Sequence, residues 1–238
     1  MGRSLQCLAL LLAFAGCGRD VGELGPDGMP PGDGMGPGDG PGDMMAGSPT
    51  AAELLAAIAA CDNVVGGTFA RDSGGTSDIS ICGLTGAVFW KADLDVDCDG
   101  KETPQCNLNT DPAFQAETAA TDSNGDFLDA ANLPYVVVPG ISGRFDFTAN
   151  GLDMGSVVAV IYKDKVVYGP LGDIGPSAII GESSYAMAQA LGIDPDPSTG
   201  GTDDEVAYIA FTDSAVDPIE NHDAAVALGI ARAQLLLH

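Results

Sequence analysis

Val166-Val167-Tyr168-Gly169-Pro170-Leu171-Gly172-Asp173-Ile174-Gly175-Pro176 and, after Ser177-Ala178, Ile179-Ile180-Gly181-Glu182-Ser183-Ser184 form the stretch on which the reading of this chain turns. The first part reads as a β-strand, a short run of Val, Tyr and Leu that ends in a carboxylate and a Gly-Pro turn. The second leads into a helix running from about Ser184 through Tyr185, Met187, Ala188 and Leu191, with Gly192 as the stop. Asp173 and Glu182 therefore stand at element ends on either side of a turn, so both could face one cleft on rigid supports. Each has a plainer alternative: Asp173 as a turn-forming aspartate, and Glu182 as an acid complementing a helix N-terminus.

Outward from this stretch the pattern is mostly strands. Runs at 87–94, 135–138, 157–162, 165–171 and 206–211 are rich in Val, Ile, Tyr and Phe and bounded by Gly, Pro, Asn or Asp, and Lys163-Asp164 between two of them predicts a tight hairpin. Thr50-Ala51-Ala52-Glu53 is a capping box opening a helix through 54–60, and a further helix is expected over 223–237. Several short strands with few helices predict a mainly β domain, a small closed β-barrel with peripheral helices.

The N-terminal part is of another kind. Arg3, the apolar run Leu8-Ala9-Leu10-Leu11-Leu12-Ala13-Phe14 and then Ala15-Gly16-Cys17 read as a signal peptide over 1–16, too short to span a bilayer. Small residues just before a cysteine resemble a bacterial lipoprotein cleavage box, which predicts that Cys17 is lipidated. The region 17–50 is Gly, Pro, Asp and Met with almost no branched or aromatic residue, and its composition predicts a disordered, acidic tether. One catalytic-sized domain, 51–238, remains, expected to be a monomer in the bacterial cell envelope or outside the cell.

Composition narrows the partners. Nine Lys plus Arg stand against 34 Asp plus Glu, a formal net charge of -25. Such a surface repels nucleic acid and anionic headgroups and attracts a cationic polymer, so contact with a membrane is expected through the lipid anchor alone. Of six cysteines, Cys7 lies in the signal and Cys17 at the lipidation position, leaving Cys61, Cys82, Cys98 and Cys106 for two disulfides. Three connectivities are open; the sequence-local pairing, Cys61 with Cys82 and Cys98 with Cys106, is favoured because each bond closes a short polar loop. The spacings do not fit zinc, and the two histidines, His222 and His238, lie near the end of the chain.

With no histidine in the body of the domain, Ser-His-Asp, Cys-His and His-metal hydrolysis are set aside and carboxylates remain. Glycoside hydrolysis needs two of them flanking one sugar bond. Asp93, Asp95, Asp97 and Asp99 alternate with Leu94, Val96 and Cys98, which on an extended strand places all four carboxylates on one face, a candidate surface for cationic sugar units. Asp95-x-Asp97-x-Asp99-Gly100 suggests a calcium loop, but its twelfth position is Cys106 where a bidentate Glu belongs, so no metal is expected. Asp122-Ser123-Asn124-Gly125-Asp126 reads as an Asx-rich turn. Trp90, the only tryptophan, could stack on a sugar ring or pack in the core.

Phe89-Trp90-Lys91-Ala92-Asp93, the run from Asp95 to Gly100, Pro134-Tyr135-Val136-Val137-Val138-Pro139, Gly172-Asp173-Ile174-Gly175-Pro176, Ile180-Gly181-Glu182-Ser183-Ser184 and Ala190-Leu191-Gly192-Ile193 together resemble glycoside hydrolase family 75 over roughly 86–211. The resemblance implies an endo-acting, inverting chitosanase with Asp173 and Glu182 as its catalytic acids, the motif of Asp93, Asp95, Asp97 and Asp99 near substrate, and no organic cofactor. The Asp-x-Gly-Pro turn before a helix ending in Ala-Leu-Gly is also similar to barwin-like double-psi barrels, which implies a six-stranded barrel of that type. It implies two rival functions as well: a peptidoglycan-acting lytic enzyme, or an expansin-like carbohydrate-binding module without catalysis.

Overall fold

The computed structural model describes residues 47–238. The signal, Cys17 and nearly all of the tether lie outside the described residues. Within them the chain runs α1 (Ala51–Ala57), β1 (Val64–Phe69), β2 (Ile79–Leu84), β3 (Ala87–Asp97), β4 (Val136–Pro139), β5 (Ser156–Tyr162), β6 (Lys165–Gly175), β7 (Glu182–Ser184), α2 (Tyr185–Leu191), β8 (Thr202–Ala215) and α3 (His222–Leu236). None of these helices is long and apolar enough to cross a membrane.

Six strands close into a ring. β3 pairs with β8, β8 with β5 and β5 with β6, all antiparallel; β6 runs parallel to β4, β4 antiparallel to β7, and β7 parallel to β3. This is the expected closed six-stranded barrel, and closure removes the unpaired edges that an open sheet of these strands would expose. β2 and then β1 extend outward from β3.

Alternation along the strands sorts the side chains between two layers. Val88, Trp90, Ala92, Leu94, Val136, Val138, Val158, Val160, Leu171, Val206, Tyr208 and Ala210 fill the barrel interior. Phe89, Val157, Ala159, Ile161, Ala207, Ile209 and Phe211 point outward beneath Leu54 of α1, Ile58 at its C-cap, and Ala225 and Ala233 of α3. Because helices cover these strands outside, every residue of β5 is buried, and its unbroken apolar run follows from two buried faces rather than one. α1 starts at the capping box, with Thr50 Oγ1 accepting from the Glu53 amide and Glu53 accepting from the Thr50 amide. α2 is capped by Ser184 and stopped by Gly192 in the left-handed region.

The outer face of the β3–β7–β4–β6 wall has a different cover, the segment 98–135. Phe114, Leu128, Leu133 and Tyr135 of that segment pack with Val137 into a third apolar cluster. Cys98–Cys106 closes the base of the segment and Cys61–Cys82 ties α1's exit to β2, the local pairing favoured from the sequence.

Candidate active site

Wall and covering segment meet at a set of carboxylates. On β3, Leu94 and Val96 turn toward the barrel interior, so Asp95 and Asp97 turn outward as the alternation requires. Asp95 lies in register with Glu182 on β7, and Val137 on β4 lies in register with Asp173 on β6. Register neighbours share a face, so the acids of β3, β7 and β6 come together on one side of the wall. The sequence expected Asp173 at the end of a strand and Glu182 in a helix lead-in. The strand instead continues to Gly175, and Glu182 opens a strand of its own before the α2 cap.

Close packing on glycines seats these acids. The Glu182 carboxyl lies against Gly175, where an added Cβ would come within 2.6 Å of Oε2. Gly181, at φ +123°, leaves the space that the Asp93 carboxyl fills, and a Cβ there would meet Asp93 Oδ1 at 2.5 Å. Two of the glycines in the decisive stretch are thus the floor of the site.

The carboxylates differ in their surroundings. Asp173 is 8% exposed, and its Oδ1 accepts from the amides of Ala119 and Ile174, each at 2.7 Å, bonds that favour the ionised form against the upward push of burial. Glu182 makes no side-chain hydrogen bond among the described residues; burial first, then Asp95, Asp99, Asp173 and Asp93, raise it to about 7. Asp99 accepts from Gln115 through its amide (2.6 Å) and Nε2 (3.2 Å), and burial still lifts it to about 6. Asp97 Oδ1 accepts from the Asp99 amide and Oδ2 meets the Tyr135 hydroxyl, while burial and Asp99 push it up to about 8.

Asp97, Asp99 and Asp173 bring one oxygen each within 4.8 Å of one another, a grouping the sequence reading, with no metal expected, did not anticipate. Carboxylates this close need a positive charge or a proton between them. Amide donors engage Oδ1 of Asp97 and Oδ1 of Asp173, Gln115 engages both oxygens of Asp99, and Oδ2 of Asp97 is taken up by its contact with the Tyr135 hydroxyl, so the structure gives no ground to assign a metal there. The Asp122 turn is as expected: Asp122 Oδ1 accepts from the Asn124 and Asp126 amides on an exposed loop.

Two of the expected substrate contacts are corrected. Trp90 is 1% exposed and stacked on Tyr208, with ring centroids 5.2 Å apart and planes 9° apart, so it presents no face to a sugar. It lies on the inner face of β3, where the apolar phase of the strand places it. Asp93 shares the outward phase but is 3% exposed, roofed by Gly181, with Oδ1 unpartnered and its carboxyl raised to about 6 by burial and Asp95. It underlies the site rather than facing a ligand. Of the four alternating aspartates, Asp95 is exposed and Asp97 and Asp99 are partly so. Sequence reasoning missed Tyr135, which is fully buried yet reaches Asp97, and Tyr208, whose hydroxyl donates toward the carbonyls of Asp93 (2.8 Å) and Gly181 (3.2 Å).

Residues 94–232 match the family model described as fungal chitosanase of glycosyl hydrolase group 75. The chain belongs to that family. The matched span holds Asp95, Asp97, Asp99, Asp173 and Glu182, starts after Trp90 and Asp93, and does not include α1, β1 and β2. Among curated relatives, an endo-chitosanase of Aspergillus oryzae is 34% identical over 143 residues, covering 56% of this chain and 58% of the relative. Endo-chitosanase B of the same species is 34% identical over 160 residues, 59% of this chain and 67% of the relative. An endo-chitosanase of Aspergillus fumigatus is 30% identical over 173 residues, 66% and 73% respectively. The chain thus spans somewhat less than two thirds of the length of the first of these group 75 relatives.

Proposed function

We propose that this protein is an endo-acting glycoside hydrolase that cleaves the β-1,4 links of chitosan by an inverting mechanism, with Glu182 as general acid and Asp173 as general base. The observation that carries the reading is the contrast between the two acids within the family-matched region. Glu182, raised to about 7 by burial and four acidic neighbours, keeps its proton in mildly acidic solution and has one to give to the glycosidic oxygen. Asp173 has Oδ1 fixed by two amides, which supports the anion and leaves Oδ2 to take a proton from water. Glu182's proton passes to the leaving sugar as the C–O bond breaks, water adds at the anomeric carbon from the opposite face, and Asp173 receives the proton that water loses.

Asp95 and Asp99, on the rim of the same wall, suit contact with protonated glucosamine units. The net charge of -25 raises the local concentration of such a polymer at low salt. Two disulfides accord with work outside the cytoplasm, and the Cys17 anchor would hold the domain at an envelope surface on its tether.

The test is reducing-end release from deacetylated chitosan, beside muropeptide release from peptidoglycan sacculi. Wild type is expected to act on the first only. Asp173→Asn and Glu182→Gln are each expected to lose about 10²- to 10⁴-fold in rate with chitosan binding retained. Muropeptide release would favour the lytic rival, and binding without turnover in wild type would favour the expansin-like one.

A further inference from the structure

The geometry points to Asp97 as a protonated carboxylic acid in the resting protein, donating to the Tyr135 hydroxyl, which in turn donates to the carbonyl of Asp99. This inference deepens the reading of the site as a two-carboxylate glycosidase and rests on it only for the catalytic consequence. One hydroxyl proton stands between two oxygen atoms. Tyr135 Oη lies 3.0 Å from Asp97 Oδ2 and 3.0 Å from the Asp99 carbonyl oxygen. A phenol has one proton, and a carbonyl oxygen accepts only. Asp97, Asp99 and Asp173 each place an oxygen within 4.8 Å of the others, and none of them has an ion-pair partner among the described residues, so the cluster calls for a proton; on Oδ2 it lets Asp97 donate to the hydroxyl while the tyrosine's own proton serves the Asp99 carbonyl, and both 3.0 Å contacts are then hydrogen bonds. Tyr135 is fully buried, so its hydroxyl has no water to turn to. The other oxygen of Asp97 is occupied as an acceptor from the Asp99 amide at 2.8 Å, leaving Oδ2 as the protonated atom.

The groups facing Asp97 agree. Asp99 on its own segment, Asp173 on β6 and Glu182 on β7 are all acidic, and Tyr135 ahead of β4 is neutral. No lysine or arginine forms an ion pair with it among the described residues. Asp97 and Asp99 both place an oxygen within 4.8 Å of one on Asp173, and a proton on Asp97 removes its share of the repulsion on the charge the base must carry. The upward shift of Asp97 to about 8, caused first by burial and then by Asp99, fits the same assignment. Asp97 is therefore a positioning residue: through the tyrosine it holds the turn at Asp99, and by staying neutral it lets Asp173 ionise. It parts company with Asp95 and Asp99, with which the alternation had grouped it as a contact for cationic sugars.

Two measurements test this. Difference infrared spectroscopy near pH 7, wild type minus Asp97→Asn, is expected to show the carbonyl stretch of a protonated carboxylic acid, without any substrate present. The second is the pH profile of kcat/KM on chitosan. Asn keeps an acceptor for the Asp99 amide and a donor for Tyr135, so Asp97→Asn is expected to leave both limbs where wild type has them. Asp97→Ala, which loses both bonds, is expected to fall at least about tenfold further than Asn. An ionised Asp97 would behave otherwise: no carbonyl band, both limbs moved to lower pH in Asp97→Asn, and a raised KM, any of which overturns the assignment. If the band is found but wild type does not hydrolyse chitosan, the proton stands and the proposed function falls.

Discussion

Glu182→Gln should make the domain more stable at neutral pH while removing its activity. Burial beside Asp95, Asp99, Asp173 and Asp93 raises the Glu182 carboxyl from 4.5 to about 7. The sign follows directly: the folded protein holds this proton more tightly than the unfolded chain, so the group costs nothing below pH 4.5. Its cost grows as pH rises and is complete above about 7. At about 1.4 kcal/mol per pH unit, the interval corresponds to about 3 kcal/mol. Partial solvent access and sharing among the acids reduce this to roughly 1–3 kcal/mol. Gln is nearly isosteric and neutral, fits against Gly175 as Glu does, and breaks no side-chain hydrogen bond. For a domain of this size each kcal/mol moves Tm by about 2–4 °C, so the variant should melt about 3–10 °C above wild type at pH 8 and within about 2 °C of it at pH 4.5. Calorimetry at the two pH values, paired with the chitosan assay, measures both effects. A variant that melts below wild type at pH 8, or a gain equal at both pH values, would refute the reasoning, since either would mean that Glu182 is not held against its charge.

Asp95→Asn, which removes an exposed acid on the wall, should raise KM for chitosan and flatten its dependence on salt with kcat little changed; steady-state assays from low to high ionic strength check it. Trp90→Phe should retain most activity and lower Tm by a few degrees, since the ring packs on Tyr208 and its Nε1 has no partner to lose; loss of chitosan binding without loss of stability would restore Trp90 to the sugar surface. Replacing Cys98 and Cys106 together with Ser should loosen the cover over the site and reduce activity more than the same change at Cys61 and Cys82, which bind α1's exit outside the family-matched span. Cys17→Ser should abolish fatty-acid labelling of the full chain in a bacterial host; an unlabelled wild type found wholly in the medium would end the anchor proposal.

The parts of the fold legible in the sequence are those where one force acts alone. β5, β8, the Lys163-Asp164 hairpin and the α2 helix with its Gly192 stop are legible because apolar phase, turn chemistry and helix-stop chemistry all agree there. β1 was missed because Gly66 and Gly67 interrupt it. Those glycines are required by Arg144, whose backbone carbonyl lies 2.9 Å from a Cβ placed at Gly66. β7 was missed because Glu182-Ser183-Ser184 has no apolar residue; its place is set by neighbours on both sides, β3 and β4, rather than by its own pattern. In the site, alternation correctly put Asp95 and Asp97 on the outer face of β3, but phase says nothing about depth. What separates exposed Asp95 from roofed Asp93 is Gly181, contributed by a segment remote in sequence. The role of Tyr135 was illegible for the same reason, since a tyrosine in an apolar run announces burial and not the reach of its hydroxyl.

The position of Glu182 on the β3–β7 seam has a kinetic consequence. β3 is made early in the chain and its parallel partner late, so this seam demands a large loop closure and belongs among the slow events of folding. The acid takes its place beside Asp95 only when that seam forms, whereas the β5–β6 hairpin is local and can assemble without it. During refolding, strand content should therefore return ahead of turnover, and the recovery of catalysis becomes a clock for the closing of the ring.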